Sequence, residues 1–345
     1  MSNPLLTIVI VTRNRPGELR TTLEELQKQD YKPIELVVID DASDESLESL
    51  VLSIYPAARF YRHGEPLGCA PRRTEGFALA KGDYIVQLDD DSCFTGPTDL
   101  TVAVQFLERR PEVGALAFYV YNGRVVPANL TLDRSEHYVI GFLGAGVMFR
   151  KSALAATCGY RTFFANHGEE HELSIQLLRA GWATCYFPHV VIHHRVSPQN
   201  RHHARTWMRG LRNTLWTLVL HLPLKRLPFE LAWKLFLGVR DSVFHLRPHR
   251  FLQAVGQFLW GLPSVIKLRR PMTGIELRRY DALRFRVLKT PQEFEHPPAC
   301  TLRDVSAWFR TVWRNRPRSR PFWDRRPGDL GRSPVVGYDH NHPQP

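Results

Sequence analysis

Three adjacent aspartates, Asp89, Asp90 and Asp91, follow the largely apolar run Ile85-Val86-Gln87-Leu88. Carboxylates so placed repel one another, and a cation relieves the repulsion. Oxygen donors of this kind suit hard divalent ions such as Mg2+ or Mn2+, usually shared with substrate phosphates. A solvated acidic turn is the bland alternative, and the buried strand that leads into the triplet argues against it. A second acidic pair, Asp40-Asp41, follows the apolar residues 36–39. A carboxylate there can accept a hydrogen bond from a ribose hydroxyl or a base N–H, although Asp-Ala-Ser is also ordinary turn chemistry. The segment Gly168-Glu169-Glu170-His171-Glu172-Leu173 opens a predicted helix. Acidic residues in a first turn favour the helix dipole, and a glutamate there can equally act as a general base toward a hydroxyl. Arg72-Arg73 can pair with phosphates or solvate a helix face, and His193-His194 can supply a metal ligand or serve structurally.

The elements that must position these residues follow from hydrophobic periodicity. Residues 5–11 read as a buried strand and 13–17 as a turn, and a helix over 18–29 places Leu19, Leu23 and Leu26 at helical spacing. Further strands are expected at 34–39, 59–61 and 84–88, with helices at 45–52 and 74–80 between them. Strands alternating with helices imply right-handed βαβ units and a mostly parallel sheet. Ligands of such sheets sit just beyond the carboxyl ends of the strands. Two of these strands end in the acidic clusters, so the functional site is expected there. Past Asp91 the spacing predicts a helix over 98–110, a strand over 113–121, a glycine-rich segment from Gly141 to Gly146, a helix over 169–180 and a strand over 183–192.

Composition bounds the remaining possibilities. With 345 residues, 43% apolar and 23% charged, the chain is globular and can bury a sizeable core. No uncharged stretch reaches the roughly 18–20 apolar residues of a membrane-spanning helix, and no basic n-region precedes the first strand as a secretory signal requires. Five cysteines form no C-x-x-C pair, which fits a reduced, cytoplasmic compartment. The charge is split. Residues 1–200 hold 19 Lys and Arg against 24 Asp and Glu, a net of −5, whereas residues 201–345 hold 27 against 10, a net of +17. Three parts are expected: a catalytic body over 1–200, a basic amphipathic helical region over 201–290, and a Pro/Arg-rich flexible tail over 291–345.

Taken in order, the motifs resemble those of the family-2 glycosyltransferases, across roughly residues 5–200. Thr7-Ile-Val-Ile-Val-Thr-Arg-Asn14 is similar to the family's opening strand and loop, and Val38-Ile-Asp-Asp-Ala-Ser43 to its acidic donor-binding turn. Gly68-Cys-Ala-Pro-Arg-Arg-Thr-Glu-Gly76 resembles the segment with Arg-Asn-x-Gly, with Thr74 in place of Asn. Ala80 to Asp91 resembles the strand leading to the D-x-D motif, and Gly168 to Trp182 the Glu-Asp motif and its helix, with Glu170 where Asp is commoner. Pro188 to Ser197 resembles the later strand with its histidine, in a spacing that favours His194.

The resemblance implies a GT-A fold, Rossmann-like, here with a basic helical C-terminal extension. It implies inverting, metal-dependent transfer of a sugar from a nucleoside diphosphate sugar to an acceptor hydroxyl. Thr12, Arg13, Asn14, Asp40, Asp41, Arg73, Asp89 and Asp90 would bind the donor, and Asp91 with His194 would hold Mn2+ or Mg2+. Glu170 would be the base, with Glu169 as the alternative one residue away. It further implies a lipid-linked or saccharide acceptor, in cell-surface polysaccharide or glycolipid synthesis, at the cytoplasmic face of the membrane.

The basic region interleaves Trp207, Trp216, Phe229, Trp233, Phe236 and Trp260 with Arg and Lys. Amphipathic helices of this kind can lie peripherally on an anionic leaflet or pack on the catalytic body. Two other classes compete. A nucleic-acid-binding protein would use the basic half, but no nucleic-acid motif is present and the body is acidic. A nucleotidyltransferase would also bind nucleotide and metal at strand-end aspartates, and the Glu169–Glu172 segment favours sugar transfer instead.

Overall fold

The computed structural model describes residues 3–197, 203–244 and 246–314. The chain begins β1 (Leu6–Thr12), α1 (Pro16–Leu26), β2 (Ile34–Asp40), α2 (Glu48–Ile54), β3 (Arg59–Arg62), α3 (Cys69–Leu79), β4 (Tyr84–Asp89) and β5 (Ser92–Phe94). It continues α4 (Asp99–Arg109), β6 (Val113–Asn122), β7 (His137–Val139), β8 (Gly146–Arg150), α5 (Lys151–Ala155), α6 (Glu169–Arg179) and β9 (Ala183–His194). Six helices follow: α7 (His203–His221), α8 (Leu227–Phe244), α9 (Pro248–Lys267), α10 (Gly274–Phe285), α11 (Pro291–Glu295) and α12 (Leu302–Arg314).

Among the described residues nine strands form one sheet, in the order β3-β2-β1-β4-β8-β6-β9-β5, with β7 also paired to β9. The half from β3 to β4 is parallel, as the βαβ pattern requires. The other half is mixed, with β8 antiparallel to both β4 and β6 while β9 runs parallel to β6. The three strands absent from the sequence reading, β5, β7 and β8, have only three to five residues, too few for a period of two to emerge.

Alternation along each strand splits the core in two. Leu6, Ile8 and Ile10 of β1 join Val38 and Val86 on one face of the sheet, against Leu19, Leu23 and Leu100 of α1 and α4. Val9 joins Val37, Ile39 and Ile85 on the other, against Ala70 and Phe77 of α3 and Ala153 of α5. Successive side chains point to opposite faces of a strand, so strands apolar at every position bind two layers of helices.

A third cluster joins the C-terminal helices to this body. Phe164, which precedes α6, packs with Leu215, Trp216, Val219 and Leu220 of α7 and Phe258 and Val265 of α9. Residues 291–314 depart from the unpatterned tail expected there. Thr290 and Glu293 form a capping box that starts α11, and Phe294 and Trp308 are buried. A five-residue helix is too short to show a period. The remainder of the expected tail, 315–345, lies outside the described residues. Among the described residues no helix is long and apolar enough to cross a membrane.

Candidate active site

The register of the parallel half brings the acidic clusters together. Thr12, the last residue of β1, lies opposite Asp40 of β2, while Val11 lies opposite Asp89 of β4. Beyond Asp89 the chain turns, and alternation sends neighbouring aspartates in different directions. Asp90 points back into the fold: the Thr12 hydroxyl donates to its Oδ2 at 2.9 Å and Arg15 Nη1 to its Oδ1 at 3.0 Å. Burial, opposed by Arg15 and reinforced by Asp91, pushes the Asp90 carboxyl up to about 6. Burial works against the charge of Arg15 itself, yet Asp90 and Asp91 outweigh it and its pKa moves up.

Asp89 and Asp91 turn the other way, toward His194 at the end of β9. One ligand atom from each of the three lies within 4.8 Å of the others. Asp91 is fully buried, with Ser197 N–H donating to its Oδ2 at 2.9 Å and His194 Nε2 standing 3.2 Å from its Oδ1. The Asp89 side chain is 27% exposed and forms the open side of the cluster. His194 Nδ1 lies 2.7 Å from Asn122 Oδ1. An amide oxygen only accepts, so Nδ1 carries a proton toward it and Nε2 is the nitrogen that faces the carboxylate. Two carboxylates gathered around one imidazole are what a cation relieves. Two carboxylates and one imidazole fit Mn2+ or Mg2+.

Arg73 of α3 links this cluster to the glutamate pair. Its Nη2 donates to Asp89 Oδ1, and its Nη1 is 3.6 Å from Glu169 Oε1. Glu169 and Glu170 open α6 behind Gly168, whose φ of +92° lies in the left-handed region that glycine adopts most easily. They are 1% and 8% exposed, and Oε2 of each is buried without a hydrogen bond. Burial and the charge of Glu170 push Glu169 well above the usual carboxylate range, and burial also raises Glu170, with Arg73 opposing the rise of both. The glycine-rich segment enters here: a Cβ on Gly144 would stand 2.8 Å from Arg73 Nη1 and 2.9 Å from Glu170 Oε1. The nearby Cys69 thiol is pushed up by burial to about 12 and stays protonated.

The loop that launches α6 is gripped from α7. The Asn213 amide, fully buried, donates to the carbonyls of Phe164, Asn166 and His167 at 3.0, 3.2 and 2.7 Å. Arg209 Nη1 donates to Asn166 Oδ1 at 2.7 Å. One turn into α6, Glu172 takes bonds from Arg161 and Gln176 and meets His221 Nε2 at 2.8 Å. It is thus held in a structural network away from Glu170.

The other expected donor residues take different places. Asp40 is fully buried: Oδ1 accepts from Ser43 N–H at 2.9 Å and Oδ2 has no hydrogen bond. Asp41 accepts from the N–H groups of Leu67 and Gly68 and from Arg72 Nε, so its oxygens fix the start of α3. Asn14 exchanges hydrogen bonds with Asp44 and donates its backbone N–H to Ser43 Oγ, tying the loop after β1 to the loop after β2. Arg13 is exposed beside it. Arg15, Asn122 and Asn213 went unnoticed as site residues in the sequence. Asn122 reaches His194 only through the β6–β9 register, which local spacing does not reveal, while Arg15, three residues past Thr12, carried a readable signal in its charge.

The family model of Glycosyl transferase family 2 matches residues 7–164. The putative colanic acid biosynthesis glycosyl transferase WcaA of Escherichia coli K12 is 32% identical over 147 residues, 40% of this chain and 51% of that protein. The GalNAc(5)-diNAcBac-PP-undecaprenol beta-1,3-glucosyltransferase of Campylobacter jejuni is 30% identical over 96 residues, 26% of this chain and 30% of that protein. The alignments thus span about half or less of these two relatives. Among solved structures, the mannosyltransferase PcManGT from Pyrobaculum calidifontis, in complex with GDP-Man and Mn2+, superposes with a TM-score of 0.51 at 18% identity. That likeness covers 78% of this chain and 84% of the other, and it shows the fold, GT-A. It is residues 7–164, at the heart of that fold, that match glycosyl transferase family 2.

Proposed function

We propose that the protein transfers a sugar from a nucleoside diphosphate sugar to an acceptor hydroxyl, inverting the anomeric centre. The observation that carries this reading is Arg73, which touches Asp89 on one side and approaches Glu169 on the other. A cation-holding cluster and the glutamate pair therefore lie one guanidinium apart, as they must if leaving group and nucleophile meet at one carbon. The buried Oδ2 of Asp40 has hydrogen-bonding capacity to spare for a base or ribose of the donor. Thr12, Arg13, Asn14, Asp41 and Asp90 shape the donor site, with Asp41 and Asp90 acting through the loops they fix.

Asp91 and His194, with Asp89 beside them, would hold Mn2+ or Mg2+, which supplies neutralisation of the charge on the departing diphosphate. Arg73 adds a fixed cation near the same oxygens. Glu170, opening α6, takes the acceptor's O–H proton as that oxygen bonds to the anomeric carbon. The bond from that carbon to the diphosphate breaks on the opposite face, and one displacement inverts the centre. The named Campylobacter relative supports a lipid-linked acceptor, with a free saccharide as the other choice, in the building of cell-surface polysaccharide or glycolipid at the inner face of the membrane.

Glu170→Gln tests the assignment. Transfer should fall by about 10²–10⁴-fold, while UDP, GDP or TDP with Mn2+ still raises the melting temperature as in wild type. Glu169→Gln, which imitates the protonated partner, should cost much less. Near-normal turnover in Glu170→Gln overturns the role given to that residue.

A further inference from the structure

α8 and α9 each turn one side to α7 and the opposite side to solvent. On the inner side, Gly238 of α8 lies against Leu211, Gly261 of α9 lies against Trp216, and Phe258 and Val265 are buried. On the outer side of α9, Leu252, Leu259, Trp260, Pro263 and Ile266 recur at spacings that place them on one face. Trp260 is 89% exposed and Leu252 69%. The outer side of α8 repeats the arrangement with Phe229, Phe236 and Val243, seven residues apart and 79%, 52% and 60% exposed. Scattered exposed apolar residues are ordinary, but a continuous stripe on each of two neighbouring helices is not.

Charge identifies the occupant. From residue 242 to 270 the chain carries Arg247, Arg250, Lys267, Arg269 and Arg270 and not one Asp or Glu. These cations fall at the two ends of α9, so its apolar face is bounded by positive charge on both sides. A second copy of the chain laid on this face, in either direction, would press like charges together. An anionic bilayer instead meets them with opposite charge and accepts the apolar stripe between its headgroups. We infer that the outward faces of α8 and α9 are a docking surface for an anionic lipid bilayer, with α9 lying in the interface and Trp260 at the level of the headgroups. This surface explains how a chain without a spanning helix among its described residues can work on a membrane-bound substrate. Nothing in the catalytic site bears on it, so its failure would leave the sugar-transfer reading standing.

The full-length protein is sedimented with vesicles of phosphatidylcholine alone and with vesicles containing phosphatidylglycerol, at low and high salt. Binding should require the anionic lipid and weaken with salt. The double variant Leu259→Glu/Trp260→Glu should bind at least about tenfold less, with the circular dichroism of wild type. Val125→Glu, a charge placed at an apolar residue 74% exposed on another loop, should bind as wild type does. Should the apolar-face variant fail to fold, Arg250→Glu/Lys267→Glu replaces it, with the same loss expected. Absence of sedimentation with anionic vesicles at low salt overturns the inference. So does wild-type binding by a folded face variant, or a wild-type dimer in sedimentation velocity that the face variant abolishes while vesicle binding persists.

Discussion

Phe149 in β8 and Phe229 in α8 are the same residue type put to opposite uses. Phe149 is fully buried, with the rings of Phe77 and Phe142 at 5.5 and 5.3 Å, whereas Phe229 is 79% exposed. Charge is distributed the other way. Around the sheet's carboxyl ends, carboxylates and guanidiniums gather at the candidate site, while α8 turns Glu230 inward to a bidentate pair with Arg284 and leaves Phe229 and Phe236 outside. In the sheet, apolar residues specify the fold and charged ones are free for chemistry. In the α8–α9 pair the charged residues help fix the helices, and the apolar ones are left for a surface outside the molecule.

The widest separation between the two regions should be in stability. Phe149→Ala is expected to cost about 3–5 kcal/mol, because the cavity opens between two rings that cannot close over it. Phe229→Ala should change stability by less than about 0.5 kcal/mol. Denaturant titration of both variants measures this, and equal costs would erase the distinction. The next effect concerns the close approach at Gly144. A methyl there must displace either Arg73 or Glu170, so Gly144→Ala should lower turnover by about a hundredfold and unfold at less cost than Phe149→Ala. Turnover matching wild type would mean that the loop yields and the glycine is dispensable. The smallest change is expected at Asn122, which touches the metal cluster only through His194. Asn122→Ala should weaken Mn2+ binding by about 10–100-fold, read by electron paramagnetic resonance of the ion with nucleotide present. Unchanged affinity would show that the ring needs no help in presenting Nε2.

Much of the catalytic body was legible because its strands are dense apolar runs that end in charge. The runs before Asp40 and Asp89 need no partner to be recognised, and the acidic start of α6 declares itself in the same way. What stayed hidden depends on pairing between distant segments. Asn122 becomes a neighbour of His194 only once β6 and β9 are in register. Sequence also treats Asp89, Asp90 and Asp91 as one cluster, where backbone alternation sends the middle one to the Thr12 hydroxyl and the outer two to His194, with Arg15 between Asp90 and Asp91. For the same reason Asp40 and Asp41 look equivalent, yet Asp41 has its oxygens committed to α3. The outward stripe of α9 was visible as composition, but its direction was not, since a helix period says that one face differs and not which neighbour it meets.

Asn213 bears on how such chains could recombine in evolution. The family match ends at Phe164, the residue whose carbonyl is the first of three bound by the Asn213 amide. A crossover placed between the sheet and the C-terminal helices, though it falls between regular elements, would give the loop before Glu169 a foreign partner. Exchange of C-terminal helices among relatives would therefore have to keep an amide at this position, or move the 164–168 loop together with α7 as a single block.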